Sequence, residues 1–374
     1  MNNTTGKLLF TPGPLSTSEA VKHAMLRDLG SRDEEFIATV REIRSRLIAL
    51  AGPSGADYDA VLMQGSGTFA VESTIGSAIP RDGRFLALVN GAYGRRMAEI
   101  AIRLGIETVV LRFEENEPVE AARVARVLRE EGPFTHAGVI HCETTSGILN
   151  PIEKIGAVVR GAGVVYVVDA MSSFGGIPID FARCGIDFLV SSANKCIQGV
   201  PGFAFVLAKK EHLLSCDGRA RSLSLDLFDQ WRGFETDGMF RYTPPIQSLL
   251  AFRIALQELK EEGGIAVRFA RYSANHAALM EEMLAIGFEP FLHPEFRSPI
   301  IASFRNPPHP DFSFAKFYEA LSRRGFIVYP GKLAAEEGFR IGTIGNIVPA
   351  DIGRLANAIR EVLPEIGVEL QHES

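Results

Sequence analysis

Three features of this sequence have residue types and positions that could do chemistry: Lys195, Asp169 and the run Gly65-Ser66-Gly67-Thr68. Asp169 ends the apolar run 164–168, where a carboxylate is costly to desolvate unless a cation meets it. An aspartate there would serve equally as a helix N-cap. Lys195 stands just past the next apolar run, in Ser191-Ser192-Ala193-Asn194-Lys195. Most lysines are solvated surface charges, but one at a strand end would share a crevice with Asp169. Gly65-Ser66-Gly67-Thr68 follows a strand pattern and opens a helix. Its N–H groups and hydroxyls suit a phosphate, helped by the helix dipole; the bland alternative is a strand-to-helix turn. An anion cradle, a carboxylate and an amine are together what pyridoxal phosphate requires, for its phosphate, its pyridinium nitrogen and its aldehyde. Tyr93, in Asn90-Gly91-Ala92-Tyr93-Gly94, reads either as a platform for that ring or as ordinary packing.

These residues need a scaffold that brings strand ends together. Short apolar runs at 59–64, 85–89, 108–112, 136–140, 164–168 and 188–190 alternate with helical patterns such as 95–104 and 118–131. That alternation predicts an α/β fold with a mostly parallel sheet sandwiched by helices. The run 203–208 follows its predecessor so closely that it reads as antiparallel. Beyond about residue 255 the texture changes. Helical patterns at 247–262, 266–286 and 312–324 alternate with short strands at 300–304 and 326–329. The expected division is an N-terminal segment 1–20 near the active site, a large α/β domain 21–262 and a smaller C-terminal α+β domain 263–374. The tail 371–374 is expected to fray.

Composition narrows the function. The 374 residues carry 39 Lys+Arg against 45 Asp+Glu, a net charge of −6, and no basic run built for phosphodiester backbones. Nucleic-acid binding is not expected. No apolar stretch approaches the roughly 18 residues of a membrane span, and no secretory leader is evident. Cys142, Cys184, Cys196 and Cys216 form no CxxC pair, so neither a metal site nor a disulfide framework is indicated. A reduced, cytoplasmic protein is the expectation.

Beyond these residues, nearly the whole chain resembles the class V, fold-type-I pyridoxal-phosphate aminotransferases. The resemblance runs through Leu9-Phe10-Thr11-Pro12-Gly13-Pro14-Leu15, Ser31-Arg32-Asp33, the Gly65 and Asn90 turns, and His141-Cys142-Glu143-Thr144-Thr145-Ser146-Gly147. It continues in Asp169-Ala170-Met171-Ser172-Ser173, Ala193-Asn194-Lys195-Cys196-Ile197-Gln198-Gly199 and Leu225-Asp226-Leu227-Phe228-Asp229. It implies that Lys195 bonds the cofactor aldehyde and then shuttles a proton, while Asp169 keeps the ring nitrogen protonated. By the same token Ser66, Gly67, Thr68 and Asn194 hold the phosphate, Tyr93 stacks on the ring and Thr145 reaches its phenolic oxygen. Tyr242 and Thr243 match a segment that completes the phosphate site of a neighbouring subunit, so the resemblance implies a homodimer. Arg340, with Gly13, falls at the substrate. A planar guanidinium grips phosphonate and carboxylate alike, which fits the implied substrates, 2-aminoethylphosphonate as amino donor and pyruvate as acceptor. Two alternatives stay open at this stage, a surface salt bridge for Arg340 and, for Arg32, either anion binding or an ion pair with Asp33 or Glu35. Residue 146 is a serine where the family pattern leads us to expect threonine.

Rival readings are distinguishable. An alanine or serine–glyoxylate aminotransferase would share the cofactor site and differ in donor. A cysteine desulfurase needs a nucleophilic cysteine in the C-terminal half, and all four cysteines lie at or before Cys216. An NAD-linked oxidoreductase would use the G-x-G-x-x-A match at 65–70, but lacks a strand-end acid about 20 residues on and leaves Lys195 and Asp169 unexplained. A non-catalytic cofactor-binding protein is the remaining alternative.

Overall fold

The computed structural model describes residues 6–331, 333 and 337–370 of the chain; the tail 371–374 lies outside them. β1 (Leu8–Leu9) is followed by β2 (Tyr58–Gln64), β3 (Arg84–Val89), β4 (Glu107–Arg112) and β5 (His136–Ile140). A hairpin of β6 (Cys142–Glu143) and β7 (Ile148–Leu149) leads to β8 (Val165–Asp169), β9 (Phe188–Ser192) and β10 (Phe203–Lys209). The C-terminal part supplies β11 (Ile301–Arg305), β12 (Phe326–Ile327), β13 (Tyr329–Pro330) and β14 (Gly338–Gly342).

The main sheet has the order β2-β10-β9-β8-β5-β3-β4. β9, β8, β5, β3 and β4 pair in parallel, and β10 lies antiparallel to both β9 and β2. Two reversals cancel, so β2 points the same way as the parallel strands. The carboxyl ends of β2, β3, β5, β8 and β9 therefore open on one edge. Their apolar runs explain the burial: Val61, Leu62, Tyr166, Val167, Val168, Leu189 and Val190 are all fully covered. Helices on both faces supply that cover, and each such side chain stabilises the fold by roughly 1.5–3 kcal/mol.

A second apolar cluster gathers Phe288, Phe304, Phe317, Phe339 and Ile341 with Leu279 and Met283 of the helix Ile265–Ile286. Here the run 326–329, expected as one strand, divides. β12 pairs in parallel with the N-terminal β1, whereas β13 pairs antiparallel with β14. Fully buried Val328 sits between them, and one apolar run serves two sheets. Gly338 and Gly342 bracket β14, and both answer to crowding: a β-carbon on Gly342 would lie 2.3 Å from the Thr11 carbonyl oxygen, and one on Gly338 2.4 Å from that of Phe304. Among the described residues no helix is long and apolar enough to cross a membrane.

Candidate active site

Chain direction alone places the first residues of the site. Asp169 is the last residue of β8, and β9 ends at Ser192, three residues before Lys195. β2 ends at Gln64, and the helix Gly67–Ala78 starts after Ser66, whose extended backbone (φ −81°, ψ 172°) makes it the N-cap. The Ser66 hydroxyl makes no capping bond, so the helix end keeps open donors, the arrangement that suits an anion. A cavity of about 270 Å³ lies where these ends converge. Ser66, Gly67, Thr68, Asn194, Asp169 and Lys195 all line it, with Tyr93 and Arg96.

Lys195 and Asp169 are tuned by burial. Desolvation pulls the Lys195 amine down to about 8, against the opposing attraction of Asp169, while the positive charge of Arg340 adds to the lowering. Nζ donates to the Pro12 carbonyl at 2.7 Å. Gly13 (φ 120°) must be glycine there, because a β-carbon would fall 2.5 Å from Lys195 Cδ and 2.8 Å from Nζ. Desolvation pushes the Asp169 carboxyl up to about 7; a bond from the Met171 N–H works against it and the neighbouring Glu143 adds to it. That N–H reaches Oδ1 at 2.9 Å. Asp169 caps no helix, and among the described residues it forms no ion pair.

Tyr93 opens the helix Ala92–Arg103 and is held by a residue that the spacing alone does not single out. The Tyr93 and Gly94 N–H groups both donate to Glu143 Oε2 at 3.1 Å. The Thr145 hydroxyl donates to Glu143 Oε1 at 2.8 Å. Glu143 is fully buried, and desolvation raises its pKa despite these donors. Thr145 thus sits behind the cavity, directed at Glu143. Arg96 was also not anticipated. Its guanidinium lies 5.1 Å from the Tyr93 ring centroid, and Nη1 donates to the Thr68 hydroxyl at 3.2 Å. The i,i+3 spacing of Tyr93 and Arg96 on one helix face was the available signal.

Arg340 lies on β14 and is 2% exposed, which excludes the surface salt bridge. Nε donates to the Pro330 carbonyl at 3.0 Å and Nη1 to the Thr144 carbonyl at 2.8 Å. Burial lowers its pKa, opposed by Tyr93 and Glu143. Two backbone carbonyls thus aim the guanidinium, which stays charged. Arg32 is exposed, and its expected partners are engaged elsewhere: Glu35 pairs with Arg27 at 3.0 Å and Asp33 accepts the Gly30 N–H. Tyr242 and Thr243 do not line this cavity. Both are exposed, and their carbonyls accept from the Gln64 amide.

The residues present fit pyridoxal phosphate. A buried carboxylate with one N–H donor and no cation awaits a cationic N–H. Ser192 Oγ is buried without a partner on the cavity wall. The helix N-terminus and the lysine amine line the same cavity.

The family described as Aminotransferase class-V matches residues 9–338. A 2-aminoethylphosphonate–pyruvate transaminase of Syntrophobacter fumaroxidans is 52% identical over 361 residues, spanning 96% of this chain and 97% of the relative. An alanine–glyoxylate aminotransferase structure from Nostoc sp. superposes with a TM-score of 0.88 at 26% identity, covering 96% of this chain and 95% of that one. A pyridoxamine–pyruvate aminotransferase structure from Mesorhizobium loti gives 0.89 at 23% identity, covering 100% and 96% respectively. These likenesses bear out the expected fold-type-I architecture.

Proposed function

The chain belongs to the class V aminotransferases, and from that premise we propose that it transfers the amino group of 2-aminoethylphosphonate to pyruvate, giving phosphonoacetaldehyde and alanine. One observation supports the reading above all: a desolvated amine and a desolvated carboxylate face one cavity beside an open helix N-terminus. Pyridoxal phosphate, bound there, supplies an aldehyde for amines and a ring that accepts the electron pair left when a Cα proton departs.

The chain's own residues supply the rest. Lys195 Nζ, partly neutral near pH 8, would hold the cofactor's aldehyde and would carry the substrate Cα proton. Asp169 would keep a proton on the ring nitrogen. Ser66, Gly67, Thr68 and Asn194 would take the phosphate at the helix end. Tyr93 would pack against the ring, and Thr145 would reach its oxygen on giving up its bond to Glu143. Arg340, with Gly13 beside the amine, receives the donor's phosphonate in one half-reaction and the pyruvate carboxylate in the other. We read the assembly as a homodimer in which Tyr242 and Thr243 complete the partner's phosphate site. Their exposure supports this, as does Phe69, half exposed next to Thr68. A cytoplasmic location fits four free, buried cysteines.

Purified enzyme with pyruvate as acceptor should use aminoethylphosphonate at far higher kcat/KM than alanine or serine. A preference for the carboxylate donors, with glyoxylate as the better acceptor, would replace this reading by the alanine/serine–glyoxylate one. Arg340→Lys should raise KM for both substrates on the order of 10–100-fold, the worth of one charged, paired hydrogen bond. Steady-state kinetics on each half-reaction checks this. Cofactor binding, followed by the visible band, should be unchanged.

A further inference from the structure

Among the described residues, Gln198 is the one non-glycine residue with a left-handed backbone, at φ 69°. That conformation penalises any residue with a β-carbon, and glycine would adopt it freely. Gln198 lies in the turn that carries Lys195: its N–H donates to the Lys195 carbonyl at 2.7 Å. The side chain explains why a glutamine stands there. It is buried, and Nε2 donates to Tyr272 Oη at 2.7 Å and to the Gly345 carbonyl at 2.9 Å.

Both partners belong to the other half of the site. Gly345 lies three residues beyond Gly342, the end of the strand that bears Arg340. Tyr272 sits on the helix Ile265–Ile286, and its hydroxyl donates to the Cys196 carbonyl, next to Lys195, at 3.1 Å. Arg268 Nη1 reaches the same carbonyl at 2.8 Å, and Arg271 Nη1 reaches Gly345 at 2.8 Å. Glu262 anchors both arginines at 2.6 and 2.7 Å. One helix therefore grips the lysine turn and the arginine strand together, and the Gln198 amide bridges the two directly.

We propose that Gln198 is a positioning residue that holds Lys195 and the Arg340 strand at one fixed separation through both half-reactions. The inference rests on the roles proposed above for Lys195 and Arg340. Substrate bound by Arg340 must present its Cα to the amine, and an error of about 1 Å at such a site lowers rates on the order of 100-fold. Losing the bridge should therefore act on turnover more than on KM.

Two variants separate positioning from folding. Gln198→Gly removes the amide and relieves the backbone; Gln198→Ala removes the amide and keeps the strain. Both should lose kcat by roughly 10–100-fold, keep KM within about twofold, and shift the pH midpoint of the visible band of the loaded enzyme. The alanine variant should lose more thermal stability than the glycine variant, because it alone keeps the strained backbone. Tyr272→Phe, which keeps the packing, should move the same band midpoint by a smaller amount. A glycine variant with wild-type kcat and band midpoint overturns the proposal, as does an activity loss that merely tracks the unfolded fraction. If the wild-type protein gains no visible band from added pyridoxal phosphate, the reading of Lys195 fails, and the proposal fails with it for that separate reason.

Discussion

Replacing Lys195 with alanine should abolish transamination, by on the order of 10⁴-fold or more, since it removes both the covalent anchor and the proton carrier. Among the described residues no other lysine lines the cavity to substitute for it. At pH 8 about half of an amine with the pKa of Lys195 is neutral, against well under one per cent of a solvated lysine. The wild-type protein with pyridoxal phosphate should show a band near ~420 nm that borohydride discharges, as expected of a lysine bonded to the cofactor aldehyde. The variant should show neither. Without cofactor the same change should stabilise the fold. The native amine's pKa is lowered from 10.5 to about 8, so the unfolded chain binds more protons between those values. Wild-type stability should rise with pH across that window, and the variant should lack the slope. Turnover retained after the substitution would refute the assignment.

Asp169→Asn should bring the second large loss, on the order of 10²–10³-fold in kcat, the scale of removing one preorganised charge at a reacting centre. The pH slope that Asp169 imposes on stability should have the opposite sign to that of Lys195. The native carboxyl's pKa is raised from 3.8 to about 7, so the folded state holds the proton more tightly over that range. Stability of the cofactor-free protein should therefore fall as pH climbs from about 4 to 7, the full cost remaining above 7. Asparagine carries no charge and should abolish the slope, leaving the variant the more stable protein at pH 8. Cofactor should restore the wild type far more than the variant, because a ring N–H⁺ answers the buried carboxylate. Thermal unfolding at pH 5 and 8, with and without pyridoxal phosphate, tests all three statements. An unchanged turnover number would remove the proposed ring-nitrogen role.

The two residues with the largest expected effects were also the most legible in the sequence, for one reason. A polar residue ending an apolar strand run is conspicuous, and parallel strands of one sheet deliver all such ends to a single edge. Asp169, Lys195 and Ser66–Gly67–Thr68 were visible on that ground. The order of strands was not, because nothing local records that β5 separates β3 from β8. Glu143 stayed hidden for the same cause, since its meaning comes from N–H groups at Tyr93 and Gly94, fifty residues away in the chain. Arg340 was found through the family resemblance, but its strand was not legible. The glycines on both sides serve close backbone neighbours distant in the chain, Thr11 at Gly342 and Phe304 at Gly338. The divided run at 326–329 was equally invisible, because the partner of its first half is the N-terminal β1.

That N-terminal stretch has one more bearing. Leu8–Leu9 pairs with Phe326–Ile327, the Phe10 carbonyl accepts the Gly342 N–H, and Pro12 receives the lysine amine. During synthesis the ribosome releases this ribbon long before its seat beside Gly342. Such distant closures are slow and come late. A nascent polypeptide thus holds its amine and carboxylate long before it holds a finished catalyst, and competence waits until Gly342 has emerged.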